Sequence, residues 1–242
     1  MSEVDRGRRS QVSAVAALEE PTRRRLYEHV VRQAVPVSRD EVAAALRVPR
    51  STAAFHLDRL VAAGLLDVVR ERRTGRSGPG AGRPSNLYRR SGQQIMVSLP
   101  ERRYDLAGQL LAAAVQEAEH TGEPPRTVLN RRARQLGRQL GEAAAAVPDG
   151  RNVLWRTLAE HGFEPREADH GIRLANCPFH ALAGEYTDLV CGMNLHLLTG
   201  LLEGLAVPDL NARLDPGPGH CCVRIEPDAR QGRGPGPAAI GR

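Results

Sequence analysis

Apolar residues recur at helical spacing through the first quarter of the chain. V-S-A-V-A-A-L-E-E-P-T-R-R-R-L-Y-E-H-V-V-R-Q (12–33) predicts a helix that is broken or restarted at Pro21. S-R-D-E-V-A-A-A-L (38–46) predicts a second, with Ser38 and Glu41 spaced to cap each other's backbone amide. After a short R-V-P turn, S-T-A-A-F-H-L-D-R-L-V-A-A-G (51–64) predicts a third helix closed by Gly64 in a left-handed cap. There the period changes: L-L-D-V-V-R-E-R-R (65–73) and S-N-L-Y-R-R (85–90) are short β-rich segments around a Gly- and Arg-rich loop, the pattern of a hairpin with a long basic tip.

Helical period returns in 102–118 and 125–147, separated by H-T-G-E-P-P. The last third reads as helix (151–163), strand (164–169), turn, strand (172–177), a long helical stretch (178–205) and a strand from Cys221 to Pro227. The expected class is α+β. Residues 1–10, the loop 73–84 and the tail from 228 have compositions that cannot support a packed core. The expected organisation is a disordered tail (1–12), a winged helix-turn-helix domain (13–92), a helical linker and dimerisation region (93–147, with 104–146 as its helices), a small α+β sensor domain (148–227) and a second disordered tail (228–242).

Charge sharpens this division. The net charge of +6 conceals +9 in residues 1–103, from 20 Arg against 11 Asp and Glu, and −3 in the remainder, from 14 against 17. A basic front half suits a polyanionic partner. No apolar run is long enough to span a membrane and the first residues lack a secretory signal, so a cytoplasmic protein is expected.

Helix, capped helix, tight turn, helix and basic hairpin follow the order of a winged helix-turn-helix, whose third helix enters the major groove of double-stranded DNA. At 100° per residue, Ala53, Leu57, Leu60 and Val61 share the packing face, while Arg50, Ser51, Thr52, Phe55 and Arg59 face outward. Arg50 and Arg59 can pair with phosphate or guanine, and the hydroxyls can reach phosphates. Phe55 either meets a thymine methyl or pads the wing; His56 either donates to DNA or is a half-buried histidine. Arg72, Arg73, Arg76 and Arg83 would follow the flanking backbone or enter the minor groove. The segment R-S-T-A-A-F-H-L-D-R-L-V-A-A-G-L-L-D-V-V-R-E-R-R-T-G-R with its G-R-P-S-N-L-Y-R ending resembles the DNA-binding part of ArsR-like bacterial repressors over residues 15–90.

All four cysteines fall in the last third, spaced C-x13-C-x29-C-C. Clustered thiols in a reducing compartment read as metal ligands or redox sensors rather than as structural disulfides. The spacing lacks the paired C-x2-C knuckles of a zinc ribbon. Should the final strand pair beside the strand ending at Cys177, then Cys177, Cys191 and Cys221 could meet at one end of a sheet. Cys221 and Cys222, as strand neighbours, would point to opposite faces unless the strand bulges there. His180 and Cys222 are further candidate ligands. N-C-P (176–178), D-L-V-C-G-M-N-L-H-L-L-T-G-L-L (188–202) and G-H-C-C-V-R-I (219–225) resemble the C-terminal region of the Suf-type repressors, ArsR-like regulators that bind an iron–sulfur cluster and control cluster-assembly genes. Those proteins carry a further cysteine where this chain has E-G-L-A-V-P (203–208). The resemblance implies a homodimeric repressor on a palindromic operator, controlled by an iron–sulfur cluster; zinc, which thiolates also hold, ranks after it. Other readings are a small organic effector or a partner protein, with the cysteines merely packed. Walker A, Rossmann and nucleophile-elbow motifs are lacking, and no enzymatic activity is expected.

Overall fold

Pro21 restarts the helix, as its spacing predicts, because a proline is tolerated where no intrahelical amide donor is needed. In the computed structural model, which describes residues 3–71, 85–146, 153–168, 171–217 and 219–228, the chain divides into two compact units, Met1–Val97 and Ser98–Arg242. The first contains α1 (Glu3–Ala17), α2 (Pro21–Val31), β1 (Val37–Ser38), α3 (Arg39–Leu46), α4 (Arg50–Ala62), β2 (Leu66–Glu71) and β3 (Ser85–Arg90). Glu20 caps α2, accepting from the amides of Thr22 at 2.9 Å and Arg23 at 2.6 Å. The Ser38–Glu41 capping box is formed in both directions, at 3.3 and 2.7 Å. Arg47 closes α3 in the left-handed region, φ 53°, which turns the chain sharply into α4. Gly64, φ 72°, ends the α4 turn as expected. The sheet order is β1-β3-β2, the two-residue β1 having no sequence signal of its own.

Residues 3–10 belong to α1, where the sequence composition suggests an unstructured tail. Ala14 of α1 is buried in the first unit's core, and a helix anchored there extends backwards at one hydrogen bond per residue.

The second unit contains α5 (Tyr104–Thr121), α6 (Pro125–Ala145), α7 (Val153–Glu160), β4 (Pro165–Ala168), β5 (Gly171–Leu174), α8 (His180–Glu185), α9 (Thr187–Gly204), β6 (Leu210–Leu214) and β7 (Val223–Pro227). Its antiparallel sheet has the order β4-β5-β7-β6. β5 and β7 are neighbours, with Ile172 opposite Ile225.

α5 and α6, expected in a helical linker and dimerisation region, belong to the second compact unit. Gly137 and Gly141 of α6 face Gly200 and Gly204 of α9 so closely that a Cβ at any of the four would overlap backbone of the opposite helix. Leu129, Ala133, Leu198 and Leu201 join the same buried core as Leu158, Leu174 and Ile225. The long helical stretch of the sequence reading is two helices, α8 and α9, and the final strand starts at Val223 rather than at Cys221.

Candidate nucleic-acid interface and thiol site

The first turn and a half of α4 is set by its apolar period. Ala53, Leu57 and Leu60 are fully buried against α2 and α3, and this fixes the helix roll. Arg50, Ser51, Phe55 and Arg59 are consequently exposed, as expected, while Thr52 and Val61 are half-buried. Phe55 is 55% exposed, with the Arg59 guanidinium 5.4 Å from its ring centroid. The two form a cation–π pair at the surface. Arg50 forms an ion pair with Asp40 of α3, which holds it at the start of α4.

Of the two readings open for His56, the structure agrees with the half-buried one. Its side chain is only 12% exposed and Nδ1 lies 3.4 Å from the Glu20 carboxylate that caps α2. At α4's roll, His56 falls between the outward Phe55 and the buried Leu57, on the flank turned towards α2. Burial pushes the Glu20 carboxyl up, but the amides of Arg23 and Thr22, with His56 beside it, outweigh this and hold it below the ordinary carboxylate value.

The wing is tied to α4 by Tyr88 of β3, a buried residue whose hydroxyl donates to Asp58 at 3.4 Å. Arg72, Arg73, Arg76 and Arg83 lie outside the described residues. On the described strands the exposed Arg70, Arg89 and Arg90 add basic surface that the sequence reading did not assign. Their position on a strand, not beside a Gly-rich loop, is what hid them.

Residues 18–69, spanning α2, α3, α4 and most of β2, match a family described as a helix-turn-helix domain. The first unit carries a DNA-binding helix-turn-helix domain. No curated protein and no solved structure matches the chain. On this domain Arg50, Ser51 and Arg59 of α4 are exposed, as are Arg70, Arg89 and Arg90 of the wing strands. Among the described residues, no helix is long and apolar enough to cross a membrane.

Outside the helix-turn-helix domain, the four cysteines come to the same end of the second sheet, but as two pairs. Cys191 of α9 is joined to Cys222 by a disulfide, with Cα atoms 6.2 Å apart. Cys177 and Cys221 are free and buried, and the Cys221 thiol donates to the Cys177 sulfur. This donation, with the Phe179 amide and Arg102 assisting against burial, holds Cys177 below the ordinary thiol value. The same hydrogen bond and burial push Cys221 far up. Of the two, Cys177 is the more readily ionised thiol.

Both consecutive cysteines reach α9 because Cys222 sits in a bend before β7 begins, where strand alternation does not apply. Asn194, one turn after Cys191, donates to the Cys221 sulfur at 3.2 Å. The sequence reading missed it, although a buried Asn in the apolar run 188–202 is the signal that could have found it. Arg102 supports the site from below, donating to the Cys177 carbonyl at 3.2 Å and to Asn176.

Four thiols are the donor chemistry of an iron–sulfur cluster. Their arrangement does not fit one, since two sulfurs are bonded to each other and, among the described residues, no three His, Cys, Asp or Glu side chains are grouped to hold a metal ion. His180, expected as a ligand, is the exposed first residue of α8; only its backbone amide approaches the site, donating to the Cys177 carbonyl at 3.1 Å.

Proposed function

We propose that the protein is a homodimeric transcriptional repressor that binds a palindromic operator through its helix-turn-helix domain, with operator affinity set by the oxidation state of the C-terminal thiols. The observation that carries the reading is the outward face of α4, where Arg50, Ser51 and Arg59 stand exposed on a domain matched as helix-turn-helix. Two such helices on a two-fold axis would meet half-sites one helical turn apart. The Gly face of α6 is already occupied by α9, and the outer face of α5, with exposed Val115, is the surface we assign to dimerisation within 104–146.

The switch is a two-electron exchange. The Cys191 and Cys222 thiols lose two protons and two electrons as the S–S bond forms, and a peroxide takes both and is reduced to water. The bond ties α9 to the start of β7, so its making and breaking changes which arrangement of the dimer is favoured. Operator affinity changes only by the difference in affinity of the two arrangements for DNA.

The rival reading is that reduction of the Cys191–Cys222 bond leaves four thiols at one sheet end for an iron–sulfur cluster, with zinc after it. Anaerobic purification followed by iron, sulfide, zinc and thiol assays, with operator binding measured before and after peroxide, separates the readings. Metal-free protein that loses two thiols and changes operator affinity on oxidation supports the thiol switch. Stoichiometric iron and sulfide with visible absorbance would replace it with the cluster.

A further inference from the structure

The sheet of the second unit has one face on the core and one open. β7 buries Val223 and Ile225, so Arg224 and Glu226 point the other way. Register then places one arginine on every strand in a single row: Arg166 opposite Arg173, Arg173 opposite Arg224, and Arg224 opposite Arg213. Directly opposed residues share a face with Cβ atoms about 5 Å apart, and like charges so placed repel.

Carboxylates on that face answer only part of the row. Glu226 pairs with Arg224 at 2.6 Å and Arg213 at 3.2 Å. Asp215 is shared at 3.8 Å between Arg173 and Arg224, and Glu164 stands 3.8 Å from Arg166. On the β4–β5 side the arginines thus have distant partners, and the buried Nε of Arg224 has no hydrogen-bond acceptor. Buried donors without acceptors are rare in folded proteins and call for one. Arg166, Arg173 and Arg224 line one groove of about 500 Å³, with His220 and one carboxylate, Glu167, also in its wall. That volume lies in the range of small-molecule sites.

We propose that this groove binds a small organic anion bearing carboxylate or phosphate groups, held by Arg166, Arg173 and Arg224, and that it gives the regulator a second input. A concave groove of this size favours a small ligand over the backbone of a duplex. Its position links it to the thiols: His220 Nδ1 is 2.8 Å from the carbonyl of Cys221, so a ligand in the groove lies against the residues leading into both pairs.

The test is calorimetric titration of the intact protein, without DNA, using pyrophosphate and citrate as probes. Its outcome is thus separate from that of the repressor reading. Saturable one-site binding of either probe is expected, and the one that binds tells phosphate from carboxylate chemistry. The double variant Arg166→Gln/Arg173→Gln should weaken it by about tenfold or more, the effect of losing charge-assisted hydrogen bonds. Its melting temperature without anion should be equal to or above that of the parent, since opposed like charges are removed. The proposal is overturned if neither probe saturates, if the double variant binds as well as the parent, or if the variant loses duplex DNA binding while both probes stay silent.

Discussion

Reducing the Cys191–Cys222 bond has a calculable effect on the second unit. The bridge closes a loop of 31 residues. In the chain-entropy treatment a loop of that size restricts the unfolded chain by about 12 cal/mol/K, or about 3.7 kcal/mol at 25 °C. For a unit of this size that corresponds to a fall in melting temperature of roughly 10 °C. The single tryptophan, Trp155 in α7, reports on the second unit alone, which avoids assuming that both units melt together. Fluorescence melts in the presence and absence of a phosphine reductant, with free thiols counted at the end, make the comparison. Cys222→Ser should reproduce the reduced curve. Two curves that coincide, with four thiols titrated after reduction and two before, would refute the claim that this bond constrains the fold.

Gly200→Ala places a methyl group against the Arg134 carbonyl across the α6–α9 contact, where only backbone could move. It should lower stability by about 1–3 kcal/mol despite the better helix propensity of Ala, whereas Gly108→Ala in α5, with open space around it, should raise it by up to about 1 kcal/mol; Trp155 melts read both. Arg59→Ala removes a surface cation and its stacking on Phe55, and should weaken operator binding by about tenfold with no change in the Trp155 melt. Acid should loosen the α5–α6 corner, where hydrogen bonds from Arg131 and Arg132 hold Glu117, and one from Arg131 holds Glu123, below the ordinary carboxylate value. A depressed carboxyl stabilises the fold above its unfolded value and loses that contribution as pH falls through its folded value, so circular dichroism should show the loss below about pH 4.5 and none between pH 6 and 8.

How much of this could be read from residues alone varies by element. The roll of α4 was legible because Ala53, Leu57 and Leu60 repeat at helical period and nothing competes with them. The Ser38–Glu41 box and the Gly64 turn were legible because each is local chemistry at fixed spacing. The adjacency of β5 and β7 was only a condition in the sequence, on which the meeting of Cys177 and Cys221 depended, and the observed pairing meets it. β6 was not legible: L-N-A-R-L is a short strand at a sheet edge, and its apolar residues Leu210 and Ala212 pack only partly on the core. The α6–α9 contact was hidden because glycine contributes no hydrophobic signal, and its meaning appears only when the partner helix supplies the matching pair. His56 stayed between two readings because a period of 100° leaves flank positions undecided; the Glu20 cap decides for the half-buried one. Cysteine spacing cannot choose among pairings, and the bend at Cys222 that permits the observed one breaks the alternation on which the sequence reading relied.

The central claim is that the first unit reads duplex DNA through α4 and the wing. Fluorescence anisotropy of the full chain with a labelled duplex, titrated at several salt concentrations, measures it most directly. The account predicts binding at low ionic strength that weakens linearly in log–log form with added salt, with a shallower slope for Arg50→Ala/Arg59→Ala. Absence of binding to any duplex at low salt, or binding that the double variant leaves unchanged in strength and slope, would contradict it.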